Sequence, residues 1–296
     1  GSLTQPSRFI SRVSVRVSIN KGSELLTAVR GLDGVAPAPL DSTPPVFQYG
    51  GEYFATWLED LVHNPYQFYA KHILRLRVRP DIGDEIGAKE FGTLVHGVLE
   101  ACAVCGIAEA PGIDAMLVEA GGKLLEKDSV LQRFWHNRFH EIAPVAAKLL
   151  SSGPASFEED IEMDYFGRKV RARADRVERI GSAVRVVDYK TGAIPSNSQL
   201  GLGKDHDCTM PQLPVEALIL REAIGASVSM AFLRLQRKKS ALVEFDEKET
   251  AESIKAAESK MKFLFAQDTY ARPDHYLDEK YRDFDDLCRL SGTDEM

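Results

Sequence analysis

Apolar positions recur with a helical period up to about residue 150, alternate from there to about residue 190, and then mix the two periods to residue 265. Phe54, Trp57, Leu58, Leu61 and Val62, then Phe68, Tyr69 and Ile73, fall three or four apart on either side of Asn64-Pro65. That spacing predicts two short helices, the second started by its proline. Leu94, Val95, Val98, Leu99 and Cys102 make an apolar stripe on a predicted helix over 90–105, with His96 and Glu100 on a neighbouring face. Two further helical patterns lie around 116–125 and over 130–150.

Alternation then predicts strands over 157–165, 168–177 and 183–190, a meander whose second turn is Gly181-Ser182. On the middle strand Arg171, Arg173 and Asp175 share one face, opposite Val170, Ala172 and Ala174. A helix over 211–224 follows, then strands over 228–235 and 240–245 flanking the basic turn Arg237-Lys238-Lys239, and an amphipathic helix over 247–265. This order predicts an α/β protein with a central mixed β-sheet flanked by helices and an added helical region.

The flanks read differently. Residues 1–50 are rich in Ser, Pro and Gly and end in the proline-rich run 37–45, so an extended arm or linker is expected, although Ser14 to Ile19 alternates as a strand would. The expected organisation is therefore an arm over 1–50, a domain over 51–265 (helical part 51–150, sheet-bearing core 151–265) and an acidic tail over 266–296. At 44% apolar and 27% charged residues, wholesale disorder is excluded, and no run approaches the roughly 18 apolar residues of a membrane-spanning helix. With no basic-then-apolar leader at the start and four dispersed cysteines, a reducing, cytoplasmic setting is expected.

A net charge of -7 speaks against nucleic acid as a partner until it is located along the chain. Residues 241–296 hold 15 Asp and Glu against 8 Lys and Arg, so the remainder sums to zero. Residues 161–190 hold 8 Arg and Lys against 5 Asp and Glu, and Lys71, Arg75, Arg77 and Arg79 make a second basic cluster. An anionic ligand is compatible with those regions.

Asp175 and Asp188-Tyr189-Lys190 carry the candidate chemistry. On adjacent antiparallel strands the two carboxylates can converge, and strand period puts Asp188 and Lys190 on one face. Converging carboxylates repel unless a cation lies between them, and an oxygen-rich site of that kind suits Mg²⁺ or Mn²⁺, which polarises a phosphoryl oxygen and activates water. Acids and lysines on hairpins are usually surface ion pairs. Here Val184, Val186 and Val187 mark a buried strand, where Asp and Lys are rarely placed without a role.

Four ordered motifs resemble the RecB-type branch of the PD-(D/E)xK nucleases: Phe91-Gly92-Thr93-Leu94-Val95-His96-Gly97, Ala174-Asp175-Arg176, Val187-Asp188-Tyr189-Lys190-Thr191-Gly192, and Gln212-Leu213-Pro214 opening an apolar helix. Asn64-Pro65-Tyr66-Gln67-Phe68-Tyr69 and Ile73-Leu74-Arg75-Leu76 further resemble the start of AddB-type nuclease domains, and the similarity covers about residues 53–245. The resemblance implies a restriction-endonuclease-like core. It also implies a Mg²⁺- or Mn²⁺-dependent deoxyribonuclease, of exonuclease type, with Asp175 and Asp188 as metal-binding acids and Lys190 as the catalytic lysine. The Tyr189 carbonyl and His96 would complete the metal site, and Gln212 would position the lysine or the DNA backbone. His96 read alone is an ordinary helix histidine.

The implied substrate is single-stranded or unwinding DNA. An AddA-like helicase-nuclease subunit is the implied partner, with double-strand break repair the process. A non-catalytic DNA-binding or scaffolding module is the alternative; retention of all five site residues favours the enzyme. Arg173 and Arg176 are expected phosphate contacts, whereas the 237–239 turn is expected to be merely solvated. Of Tyr66, Phe68 and Tyr69, which could stack on bases, at least two are expected in the core.

Two departures from the AddB-type pattern stand out. Asn64 occupies the position of a cluster-binding cysteine and only Cys288 lies near the end, so no iron-sulfur cluster is expected. Cys102 and Cys105 are expected as helix thiols rather than a metal site. Glu216, four residues after Gln212 where an aromatic is usual, is either an additional acid behind the site or a solvent-facing residue.

Overall fold

The computed structural model describes residues 44–46, 48–78, 86–125, 129–153, 155–236, 238–274 and 277–287. The strand-like Ser14–Ile19 segment, most of the expected arm, Arg79, Arg237, Cys288 and the last residues of the expected tail lie outside them.

In chain order the elements are β1 (Tyr53–Phe54), α1 (Trp57–His63), α2 (Pro65–Phe68), a π-helical turn (Tyr69–Ile73), α3 (Ala88–Cys105), α4 (Ala110–Leu124) and α5 (Val130–Leu150). Then come β2 (Ala155–Tyr165), β3 (Arg168–Ile180), β4 (Ala183–Lys190), α6 (Gln212–Ile224), β5 (Val228–Arg234), β6 (Ala241–Phe245) and α7 (Glu247–Phe265). The predicted helices and strands are present with shifted ends, but Phe54, expected in the first helix, lies in β1, and the second helix gives way to a π-helical turn after Phe68. Asn64 separates α1 from α2 as expected: its side chain accepts from Gln67 N and so caps the helix that Pro65 begins.

Among the described residues six strands form one mixed sheet in the order β1-β3-β4-β5-β6, with β2 against the other edge of β3. β2–β3, β3–β4 and β5–β6 are antiparallel, while β1–β3 and β4–β5 are parallel. The parallel β4–β5 pair requires a crossover, which α6 supplies. Because both faces are covered, β4 and β5 read as nearly continuous apolar runs. Val184, Val186, Met230 and Phe232 pack with α1, α6 and α7, and Val187, Tyr189, Ala231 and Leu233 pack with α3, α4 and α5. The centre of the sheet is thus clamped between two helical layers, α3 on one side and α6 on the other.

The expected acidic tail needs correction. Up to Leu287 the chain folds back on α1 and α2, burying Tyr270, Leu277, Tyr281 and Phe284. A polar clasp holds it. Asn64 Nδ2 donates to Tyr281 O at 2.7 Å, Gln67 Nε2 donates to Lys280 O and to Asp60 Oδ1, and Gln67 Oε1 accepts from Asp283 N. Gln67 is wholly buried, so these bonds replace water that cannot reach it. Gln67→Ala is expected to cost about 1–3 kcal/mol by removing the donor to Asp60 Oδ1 and the partners of two backbone groups, while Lys71 and His72 stay on Asp60 Oδ2. Thermal melting would register that loss, and limited proteolysis would show earlier cutting within 278–287.

Candidate active site

β3 and β4 separate where the acids stand. Their ladder runs from Ile180↔Ala183 to Arg176↔Val187 and stops, whereas β4 continues beside β5 to Lys190↔Arg234. β2 fills the opposite edge of β3, and β1 rejoins the shared edge only at Val170 and Arg171. Asp175 therefore lies in a gap between two strand partners. Its Oδ2 accepts from Tyr189 N at 2.7 Å, satisfying a backbone donor left over where the ladder ends. The fork projects Asp175, Asp188 and Lys190 into one cleft at the end of the sheet.

Each flanking helix layer adds a side chain. From α3, His96 Nε2 donates to the Tyr189 carbonyl at 2.8 Å, and Nδ1 stands 3.4 Å from Asp175 Oδ1. Both neighbours are acceptors only, which suits the imidazolium. Burial opposes that charge, but the Asp175 carboxylate overrides it and the pKa of His96 is raised. From the first turn of α6, Gln212 Nε2 donates to Asp188 Oδ1 at 2.9 Å and to Glu216 Oε1 at 3.1 Å, while Gln212 Oε1 accepts from Lys190 Nζ at 3.4 Å. Lys190 Nζ lies 3.1 Å from Asp188 Oδ1 and 3.0 Å from Oδ2; the latter contact is an ion pair without a directed hydrogen bond.

The site is short of positive charge. Burial, with Asp175 adding to it, lifts the Asp188 carboxyl to about 6 despite the adjacent ammonium. Burial alone would lower the Lys190 pKa, but Asp188 raises it, so Lys190 is the ammonium. Among the described residues no three His, Cys, Asp or Glu side chains stand in metal-ligating geometry, and His96, Asp175 and Tyr189 O instead close on one another through hydrogen bonds. The donor set of carboxylates, a backbone carbonyl and an imidazole nevertheless fits a hard divalent cation, and Asp188 Oδ2 and Glu216 Oε2 are buried without a hydrogen-bond donor.

Glu216 settles one expectation left open. It is only 1% exposed and faces the site, not solvent. Spacing of four from Gln212 was the available signal, because on a helix it stacks the two side chains. Burial, and after it the Asp188 charge, raise the Glu216 pKa well above the ordinary 4.5. A carboxyl raised on folding costs no stability below its unfolded pKa and progressively more as pH rises through the folded one. Glu216→Gln in EDTA is therefore expected to leave the melting temperature unchanged near pH 4 and to raise stability by about 1–3 kcal/mol at pH 8, read from denaturant curves at the two pH values.

Arg173 and Arg176, expected together as phosphate contacts, part company. Arg173 is exposed, 3.6 Å from Glu100, and lines a cleft of about 470 Å³ with Phe54, Asp160, Glu162 and Arg171, a cleft that Asp188 and Lys190 do not line. Arg176 is fully buried. Its Nε donates to Glu178 Oε1 at 2.7 Å and its Nη2 to Leu149 O at 3.0 Å, with Phe157 beneath the guanidinium. It cannot meet a phosphate at the surface. Strand alternation takes the residue after Asp175 off the face that carries Arg173 and Asp175, and the end of α5 at Leu149 together with Phe157 of β2 covers it. Phe68 is core and Tyr69 packs on Tyr270, while Cys102 is a buried free thiol and Cys105 an exposed one.

Over residues 55–289 the sequence matches the PD-(D/E)XK nuclease superfamily. The chain belongs to that superfamily. The forked mixed sheet between two helical layers is its PD-(D/E)XK fold, and Asp188-Tyr189-Lys190 has the acid-x-lysine spacing of the superfamily's name. Among curated proteins, it is 28% identical over 207 residues to an uncharacterised protein of Rickettsia bellii, covering 61% of this chain and 23% of that one. It is 32% identical over 194 residues to an uncharacterised protein of Rickettsia conorii, covering 56% and 22%. The chain thus spans less than a quarter of the length of these relatives. A solved structure, the "Putative exonuclease" of Eubacterium rectale, aligns with TM-score 0.46 and 14% identity over 73% of this chain and 80% of that one. Among the described residues no helix is long and apolar enough to cross a membrane.

Proposed function

We propose that this domain is a divalent-metal-dependent deoxyribonuclease. The observation that carries the reading is the convergence of Asp175, Asp188, Lys190, His96 and Gln212, from two strands and two helices, on the cleft opened by the β3–β4 fork. Asp175, Asp188, the Tyr189 carbonyl and His96 would hold Mg²⁺ or Mn²⁺, which supplies Lewis acidity toward a phosphoryl oxygen and lowers the pKa of water. Lys190, as an ammonium, orients the attacking water and stabilises charge developing on the phosphoryl oxygens. Gln212 fixes that ammonium: its amide nitrogen is committed to two carboxylates, so its oxygen must face Lys190. His96 would serve the metal only as the neutral imidazole, because the imidazolium has no lone pair to give.

The finer reading is an exonuclease acting on single-stranded or unwinding DNA, as the nuclease domain of an AddB-type subunit that works with an AddA-like helicase in double-strand break repair. The Asn64–Tyr69 motif supports it, as does a match confined to 22–23% of much longer relatives. The test is degradation of end-labelled single- and double-stranded DNA with Mg²⁺, Mn²⁺ or EDTA. Metal-dependent release of short products from ends supports the exonuclease. A protein that binds DNA yet cuts with neither metal is the scaffolding module instead.

A further inference from the structure

One row of residues leads to the site from a helix that supplies none of the residues above. Val130, Phe134 and Arg138 are spaced by four along α5 and so lie along one side of it. Val130 is 77% and Phe134 45% exposed, whereas Trp135, Phe139 and Ile142 of the same helix are buried. The row ends at the loop after Lys190, where Arg138 Nη2 donates to Thr191 O at 3.3 Å. Gly92 of α3 closes the same spot, since a Cβ on it would come within 3.2 Å of Thr191 Oγ1.

Arg138 is held flat but not used up. Its guanidinium lies 3.7 Å above the Phe91 ring and 6.0 Å from that of Phe134, contacts that hold its plane without using its edge donors. Among the described residues it forms one hydrogen bond and no ion pair. The acid whose charge acts on it, Glu141, accepts from the backbone N of Lys238. A half-buried guanidinium bonded to the residue that follows the lysine, next to an exposed aromatic ring, matches a nucleotide: a phosphate for the fork and a base for the ring.

We infer that Arg138 and Phe134 form a strand-binding subsite, Arg138 taking the phosphate next to the scissile one and Phe134 stacking on an unpaired base. This rests on the nuclease reading for the word scissile, and it deepens that reading by specifying a substrate strand that is single at this point. A base paired within a duplex has no free face for Phe134.

The experiment is fluorescence-anisotropy binding of a labelled single strand and a blunt duplex to the full chain in Mg²⁺, on a Lys190→Ala background to keep the DNA uncut, across a salt series. Arg138→Gln is expected to reduce the slope of log K against log salt by about one phosphate contact, and Arg138→Lys to restore it. Phe134→Ala is expected to weaken single-strand binding about 5- to 150-fold and to leave duplex binding nearly unchanged. A purely structural Arg138 would lower the melting temperature of both variants without changing the slope in Arg138→Lys relative to Arg138→Gln, and that result overturns the subsite. So does a protein that binds no oligonucleotide, or one in which Phe134→Ala acts equally on strand and duplex. Cutting by the wild type with binding indifferent to Arg138 sinks the subsite alone. Binding through Arg138 by a wild type that never cuts sinks the nuclease alone.

Discussion

Lys190→Ala is expected to lower the rate of DNA hydrolysis by about 10²- to 10⁴-fold while leaving DNA affinity within a few fold. The magnitude is that of removing one preorganised charged donor or proton-handling group from a site where charge develops. The ammonium lies 3.0–3.1 Å from both Asp188 oxygens and is 27% exposed, so it is at once the counter-charge of a buried acid and the cleft's accessible cation. Its loss leaves Asp188 with Gln212 alone among hydrogen-bond donors, and the already raised carboxyl gains further reason to hold a proton. The variant should therefore be less stable at pH 8 than at pH 5 relative to the wild type, because a raised carboxyl pKa costs stability only above the unfolded value. Single-turnover cutting measured beside melting curves at the two pH values separates the chemical loss from the structural one. A Lys190→Ala protein that is fully folded and cuts at the wild-type rate removes Lys190 from the mechanism.

Arg176→Met is expected to cost about 3 kcal/mol, because it removes one of the two buried guanidinium partners of Glu178 and leaves the Leu149 carbonyl without its donor. Glu178 is 4% exposed and depends on Arg176 and Arg185 together, the Arg185 contact being an ion pair at its other oxygen. For a domain of this size the cost corresponds to a fall in melting temperature of roughly 10 °C. The same variant, assayed well below its melting point, should bind DNA with an unchanged salt slope. A phosphate-contacting Arg176 would give the reverse, a reduced slope with little change in stability. The motif Asp175-Arg176 thus joins an acid that faces the cleft to a cation that braces the strand behind it.

Much of this architecture is legible in the sequence, for a physical reason. Local periodicity is set by which face of an element is buried, so α3, the β2–β4 meander and α7 can be located from the spacing of Leu94, Val98 and Cys102, of Val170, Ala172 and Ala174, and of the apolar positions in 247–265. The candidate site was legible to the same extent, because a polar residue in an apolar run, such as Asp188 after Val186 and Val187, is expensive to bury and marks itself. Where the sequence misled, the missing information was which distant elements cover a residue. Nothing local says that the end of α5 at Leu149 and the ring of Phe157 close over Arg176, or that Glu178 is turned toward it. Nor does an acidic stretch announce that Asn64 and Gln67, more than 200 positions away, hold it against the body.

The sequence by itself determined the elements, their order, the two-layered burial of the central strands and the identity of the groups that could do chemistry, since each of these depends on neighbours a few residues apart. Only the tertiary structure decided how those groups meet. The end of the β3–β4 ladder at Arg176↔Val187 opens the cleft, α6 turns Glu216 inward beside Gln212, and α5 brings Arg138 to the carbonyl of Thr191. Those outcomes depend on where separate elements stop and pack, a balance of long-range burial and hydrogen bonding that no local pattern encodes.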